Sequence, residues 1–577
     1  MTVSVRSARY RPPLSRRELL GRGSASAWEA PLGAPPELAV IALNRMGFGP
    51  RPGDIAAFNA LGGDDLSRLT AYVDQQLAPN DADDPAYLER RNGLNGLPNP
   101  NFLTLGWTLQ QMWEAFEVSP TTQSPSNRPA EETRLDTLCR MVYSKWQLRE
   151  VLADFWHNHF NVYGFENYTQ ESLVHYDRDV IRPHLFGNFR ALLEAVARST
   201  TMLYFLDNYT NTRQGPNENY GRELFELHTL GAENYFGVGN QADVPHWGPG
   251  VVWPAGLPSA GQPIPAGYVD NDVYESARSF TGWGVTYATG QYAYTPANHD
   301  VFQKAVLSLG VVNIPPNQAD EKDGTDVLDM LAAHPGTGRH IARKLCRRLI
   351  ADDPPTALVE SIGDLFTSLR QAPDQIAQVV RAIVLSPEFS STWGAKIKRP
   401  VEFTVSAMRA ASPNWLFGYS AQGNPPTMES DMSSLLSRQT KTGHNLFLRV
   451  APDGFADREP VWSSTNTRLQ CWRIAGWLVD QDIDGSSGTD DFRLQILDET
   501  YAAFPSHQVS PNDLVDFWIP RVFGRTLEPA AREELVDFFA QGGNPATPLN
   551  LDSSSSLRSR VRALVALMFM TPDFLLK

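Results

Sequence analysis

The sequence predicts a mainly α-helical protein: one large multi-helix globular domain with minor β-hairpins and long irregular insertions. Three observations carry this. Apolar residues recur at helical spacing in one long segment after another. Alternating runs that read as strands are sparse. Gly and Pro gather in a long aperiodic stretch rather than in the regular short turns of an all-β chain. Hydrophobic residues make up 42% of the 577 and charged residues 20%, as in a globular protein. This length suits two to four domains or one large helical domain with insertions.

In chain order, residues 1–34 are rich in Pro, Arg, Ser and Gly and read as a flexible tail, and residues 35–577 as the helical domain. "PPELAVIALNRMGFGPRPGDIAAFNALG" predicts two short helices about a Gly/Pro turn at Gly47 to Gly53. From "AEETRLDTLCRMVYSKWQLREVLADFWHNHF" onward, Leu135, Leu138, Met141, Val142, Trp146, Leu148, Leu152 and Phe155 keep helical spacing. "GNFRALLEAVARSTTMLYFLD" is a further amphipathic helix. Residues 236–268 form an irregular insertion. "GWGVTYATGQYAYTP" alternates as a hairpin does. "GTDVLDMLAAHPGTGRHIARKLCRRLI" predicts a helix pair broken at Pro335, and helices recur to the end, with a C-terminal subdomain over about 400–577. Residues 412–430 and 482–490 read as loops. No repeat of fixed period occurs.

Charge and cysteine use exclude several classes. With 50 Lys and Arg against 65 Asp and Glu, the formal charge is −15. Such a surface repels nucleic-acid phosphates, so no nucleic-acid partner is expected, and an anionic polymer needs a locally basic cleft. Cys139, Cys346 and Cys471 are far apart and odd in number, which rules out a disulfide scaffold and a thiolate zinc site. No apolar run reaches the roughly 20 residues of a transmembrane segment. "SRRELLGRG" at Ser15 to Gly23 looks like a twin-arginine export signal but lacks the apolar region that should follow. Phosphate-binding, nucleophile-elbow, zincin and dinucleotide fingerprints are absent.

Two stretches carry candidate chemistry. "PNENYGRELFELHTLG" (Pro216 to Gly231) packs Tyr220, Arg222, Glu223, Glu226 and His228 among apolar residues. On an α-helix, Asn219, Arg222, Glu223 and Glu226 share one stripe, and Tyr220, Leu224, Leu227 and His228 another. Either Arg222 pairs with Glu226 on a solvated face, or the carboxylates are buried and need partners. "DFWHNHFNV" brings His157, Asn158 and His159; a helix that continues through it points the two imidazoles apart, while an extended end brings them to one side. "HYDRDVIRPH" reads as a helix with solvated charges. The hairpin and its exit place Trp283, Tyr292, Tyr294 and His299 as a cleft wall or as an aromatic cover over the core.

"FWHNHFNV", "NENYGRELFELHTLG", "ARSFTGW" at Ala277 to Trp283, "HPGTGRHIARKLCRRLI", "LNRMGFGP", "KRPVEF" at Lys398 to Phe403 and "PDGF" at Pro452 to Phe455 together resemble one bacterial family, domain of unknown function 1800. The resemblance runs from about Pro36 to the C-terminus. The family name carries no agreed activity. Its members often stand beside a sulfatase-like exported family, so the resemblance implies an envelope or extracellular setting and a possible sulfatase-like partner protein.

The expected catalytic residues are His159, Glu223, Glu226 and His228, with Asn158, Arg222, Tyr220, Arg278, Trp283 and His299 for binding. One chemistry is general acid–base action on a polysaccharide or envelope polymer, with no cofactor. The second is a divalent metal on His159, Glu223, Glu226 and His228. The third reading, from another class, is a non-catalytic scaffold of the cell envelope.

Overall fold

The computed structural model describes residues 35–92, 102–120, 126–411, 413, 415, 417–419, 428–479 and 494–577. The N-terminal tail with its twin-arginine-like motif, most of 412–430 and the loop at 482–490 lie outside them. Among the described residues the fold is mainly α, with two antiparallel sheets of two strands each. None of their helices is long and apolar enough to cross a membrane.

Helix α1 (Leu38–Arg45) and a short helix Asp54–Asn59 flank the Gly/Pro turn. Gly49 and Gly53 there adopt φ of +98° and +93°, which only glycine takes without strain. The long helical stretch that follows is two helices, α2 (Arg128–Tyr143) and α3 (Gln147–His159). The break at Ser144 is held by the Gln147 amide, which donates to the carbonyls of Met141 and Ser144 at 3.1 and 2.8 Å. Helix α4 (Thr169–His175) packs along α2 and continues as a π-helical turn over Tyr176–Ile181. Helix α5 (Thr200–Phe205) is capped by Ser199.

Helix α6 (Glu218–Glu223) also passes into a π-helical turn, Leu224–His228, and packs on α7 (Asp270–Ser279). A π turn carries i→i+5 bonds, so it breaks the 3.6-residue stripe expected for this segment. Strands β1 (Trp283–Thr286) and β2 (Gln291–Tyr294) form the expected hairpin, with Trp283 opposite Tyr294. Residues 236–268 are irregular, tied by isolated bridges such as His246 to Pro265. Helices α8 (Lys322–Ala333) and α9 (Pro335–Leu349) are the pair broken at Pro335; His334 caps α9 by accepting from the Gly336 N–H. Helix α10 (Pro400–Ala410) packs on α2.

Residues Pro36–Lys577 form one compact unit, and one contiguous apolar core runs through it from Ala39 to Phe574. Trp156 of α3 shows how the core fixes the site: it is fully buried against Phe160 and Phe189, at ring distances of 5.8 and 6.0 Å. Truncating such a residue costs about 3–5 kcal/mol, so the end of α3 is anchored.

Candidate anion-binding cleft

The end of α3 forms one wall of a cleft of about 180 Å³. Helical spacing puts Asp154, Phe155, Asn158 and His159 on one face, and all four line it. Helix α9 supplies the opposite wall with Lys344, Arg347 and Arg348, spaced i, i+3, i+4. Arg399, at the start of α10, and the segment Asp453 to Arg458 close it.

That segment is locked onto α3. Asn158 Nδ2 donates to the Asp154 carbonyl at 2.7 Å, while its Oδ1 accepts from the Phe455 N–H at 3.0 Å. Asn161 Nδ2 donates to the carbonyls of Arg449 and Ala451 at 2.9 and 2.8 Å. Gly454 sits at φ +70°, and a Cβ there would stand 2.1 Å from the Asn158 carbonyl oxygen. Only glycine allows this approach.

The cleft floor is a buried ion network. Asp154 binds Arg399, and Arg348 at 3.2 Å. Glu402 binds Arg348, Arg399 at 3.3 Å and Lys577 at 2.8 Å. Asp457 lies 3.4 Å from Lys396, which also holds Asp352 at 2.7 Å. Charges buried in this way must be paired. Burial pushes the Asp154 carboxyl up, and Arg399 and Arg348 outweigh it and hold it below its ordinary value. Glu402 is likewise pushed up by burial and pulled well down by Arg348 and Lys577.

The rim differs. Five cationic side chains line the cleft against three carboxylates, on a chain of net charge −15. Half-buried Lys344 makes no ion pair among the described residues. Burial and then neighbouring Arg347 lower its pKa to about 8. Arg347 donates from Nε to the Asp352 carbonyl at 2.9 Å, leaving the rest of its guanidinium on the rim.

His159 is buried, with Nε2 3.1 Å from the His228 carbonyl oxygen. A carbonyl only accepts, so Nε2 carries the hydrogen and Nδ1 is left with its lone pair. Nδ1 has no partner. Burial, then Lys344 and His340, push the His159 pKa well below its ordinary value, so the imidazole is neutral. His228 is also buried, with neither ring nitrogen partnered among the described residues, and burial and Lys344 lower it to about 3. His340 uses Nδ1 toward Glu233 at 3.2 Å and Nε2 toward the Leu227 carbonyl at 3.3 Å.

The segments around His159 and His228 therefore meet, although neither Glu223 nor Glu226 lines the cleft. Both glutamates are half-buried and make no hydrogen bond or ion pair among the described residues. Burial, then Glu226 and Asp453 of the rim, raise the Glu223 pKa. Arg222 bypasses Glu226 and pairs with Asp270 at 3.2 Å and Glu218 at 3.4 Å. Tyr220 is buried edge-on against Phe280, at 5.2 Å. Trp283 is buried beneath the Arg198 guanidinium, 4.6 Å from its ring. Arg278 is held by Glu275 and Asp300, both 2.8–2.9 Å away. His299 is buried between the Thr281 carbonyl, 2.9 Å from Nδ1, and Asp323, 3.3 Å from Nε2.

Helix α3 continues through His159, so its two imidazoles diverge: His157 turns to Asp177 at 2.8 Å. In "HYDRDVIRPH", Asp177 is buried and paired with Arg182 at 2.8 Å rather than solvated. Among the described residues no group of three or more His, Cys, Asp or Glu side chains is placed to hold a metal ion.

Arg347, Arg348, Lys344, Arg399 and Asp457 were not among the residues expected to carry function. The signal was available for three: from Arg339 to Arg348, six of ten residues are Arg, Lys or His, and His340, Lys344 and Arg348 recur every fourth residue.

Fold and cleft thus define a mainly α-helical protein with a basic pocket set into an acidic surface. Residues 41–576 match the model of the family described as protein of unknown function (DUF1800), and the chain belongs to that family. Among curated proteins and solved structures, none matches.

Proposed function

We propose that the protein binds and acts on an acidic polysaccharide or related envelope polymer, with an anionic group of the chain seated in the cleft between α3 and α9. One observation carries this: among the described residues the Lys344 ammonium is unpaired, with Arg347 beside it, on the rim of a cleft whose floor charges are all paired. A cation left without a carboxylate in a protein this acidic is electrostatically complementary to an anion from outside.

His159 supports an acid–base role. Its Nδ1 lone pair, without a partner among the described residues, is the acceptor a general base presents, and its lowered pKa keeps the ring neutral at pH 7. Glu223 lies outside the cleft lining but within electrostatic reach of Asp453 on its rim; burial, then Glu226, raise its pKa, and it is the proposed acid. The rival reading, a non-catalytic envelope scaffold, draws on the complete internal pairing of the cleft floor.

A screen against acidic and neutral glycans, read by reducing ends and by the absorbance of unsaturated uronides, separates them. Activity on acidic chains only, lost in His159→Asn and reduced in Glu223→Gln, supports the enzyme reading. Activity that survives both substitutions places the chemistry elsewhere, and binding without turnover supports the scaffold.

A further inference from the structure

A second cluster lies away from the cleft, where the π-helical turn Glu114–Val118, α4, α5 and the β1–β2 turn come together. Trp113 Nε1 donates to the Tyr287 carbonyl at 2.7 Å, and the buried indole stacks on Tyr168 and Tyr204 at 5.7 and 5.6 Å. Tyr204 continues the stack to Tyr168 at 4.5 Å and to Tyr209 at 4.4 Å. Tyr209, at the end of the stack, is 41% exposed, so this wall reaches solvent, and the 58% exposed Tyr287 lies near Tyr168 and Tyr204.

Two carboxyls, Glu117 and Glu171, face each other beside it. Glu171 is fully buried; Oε1 accepts from Gln170 Nε2 at 2.7 Å, and Oε2 is buried with no hydrogen-bond partner among the described residues. A proton held between the two carboxyls satisfies Oε2. Among the described residues neither carboxyl is in an ion pair, unlike buried Asp154, Asp177 and Glu402, each of which has a cation. Burial first, and then Glu117, push the Glu171 carboxyl up to about 8.

We infer that this tyrosine wall and carboxyl pair form a second ligand site, independent of the cleft, that takes an organic cation bearing an ammonium or alkylammonium group. Charge complementarity favours such a cation on two counts. Aromatic faces carry negative quadrupole density that attracts such cations. An arriving cation also supplies the charge the carboxyl pair lacks, and displaces the shared proton to solvent. A neutral sugar stacks on tyrosines equally well but leaves the carboxyl pair without its counter-charge, which is why the cation is favoured.

The test is calorimetric titration of the intact protein with tetramethylammonium and choline at pH 7, in two buffers of different ionisation heat and at matched ionic strength. Saturable binding with release of up to about one proton per cation is expected. Tyr287→Ala, an exposed position that leaves the core intact, and Glu117→Gln are each expected to weaken it about tenfold or more. Absence of saturable heat, binding unchanged in both variants, or binding of glucose or cellobiose in place of the cations overturns the inference.

Discussion

His159 Nε2 lies 3.1 Å from the backbone carbonyl oxygen of His228, and this bond sets the tautomer on which the proposed chemistry depends. It commits the ring hydrogen to Nε2 and leaves Nδ1 as an acceptor. Nitrogen-15 shifts of the imidazole are expected to show a neutral Nε2–H tautomer from pH 6 to 8. A protonated ring at pH 7 contradicts it.

The floor network should respond sharply to loss of one member. Asp154→Asn leaves Arg399 and Arg348 short of a buried carboxylate, so a loss of about 3–5 kcal/mol is expected. Removing unpaired Lys344 should do the opposite: Lys344→Met is expected to leave the melting temperature unchanged or raise it, because a desolvated cation disappears. A fall in melting temperature as large as that of Asp154→Asn would mean Lys344 belongs to the network.

Gly454→Ala is expected to destabilise the protein by about 1–3 kcal/mol, because alanine is strained at φ +70° and its Cβ collides with the Asn158 carbonyl. Chemical denaturation measures it. An unchanged midpoint would show that the 449–458 segment can lift from α3 without loss.

Acid should unfold the protein in two stages. His159 and His228 have folded pKa values below their unfolded value of about 6.5, so the unfolded chain binds the extra protons and stability falls as pH drops below about 6.5. Asp154 and Glu402 are depressed too, and their contribution is present above the unfolded carboxyl value of about 4 and lost below it. Denaturant midpoints from pH 8 to 2.5 test this; a midpoint flat between pH 7 and 4.5 removes the histidines from the account.

Helix content, the hairpin and the break at Pro335 were legible because each rests on local signals: helical spacing, strand alternation and proline. The placement of Glu226 and His228 was not. The α-helical projection of Glu218 to Gly231 fails where the chain enters a π turn at Leu224, and nothing local in "LFELH" marks that change. The Arg222–Glu226 pair was lost for another reason: Asp270, 48 residues on, lies on α7 and takes the guanidinium. The cleft floor joins residues 154, 348, 399, 402 and 577, and pairing at such separations is set by tertiary packing. The basic stripe of α9 was readable, but which of its members lack a carboxylate depends on Glu233 and Glu402 from elsewhere.

The most direct measurement of the central claim is calorimetric titration with polygalacturonate and with neutral dextran, for the wild type and for Lys344→Ala. Saturable binding of the acidic polymer alone is expected. That binding should weaken about tenfold or more in the variant, weaken with added salt, and decline in the wild type as pH rises through about 8, where Lys344 loses its charge. Equal binding of dextran, or polygalacturonate affinity unchanged in Lys344→Ala, would contradict it.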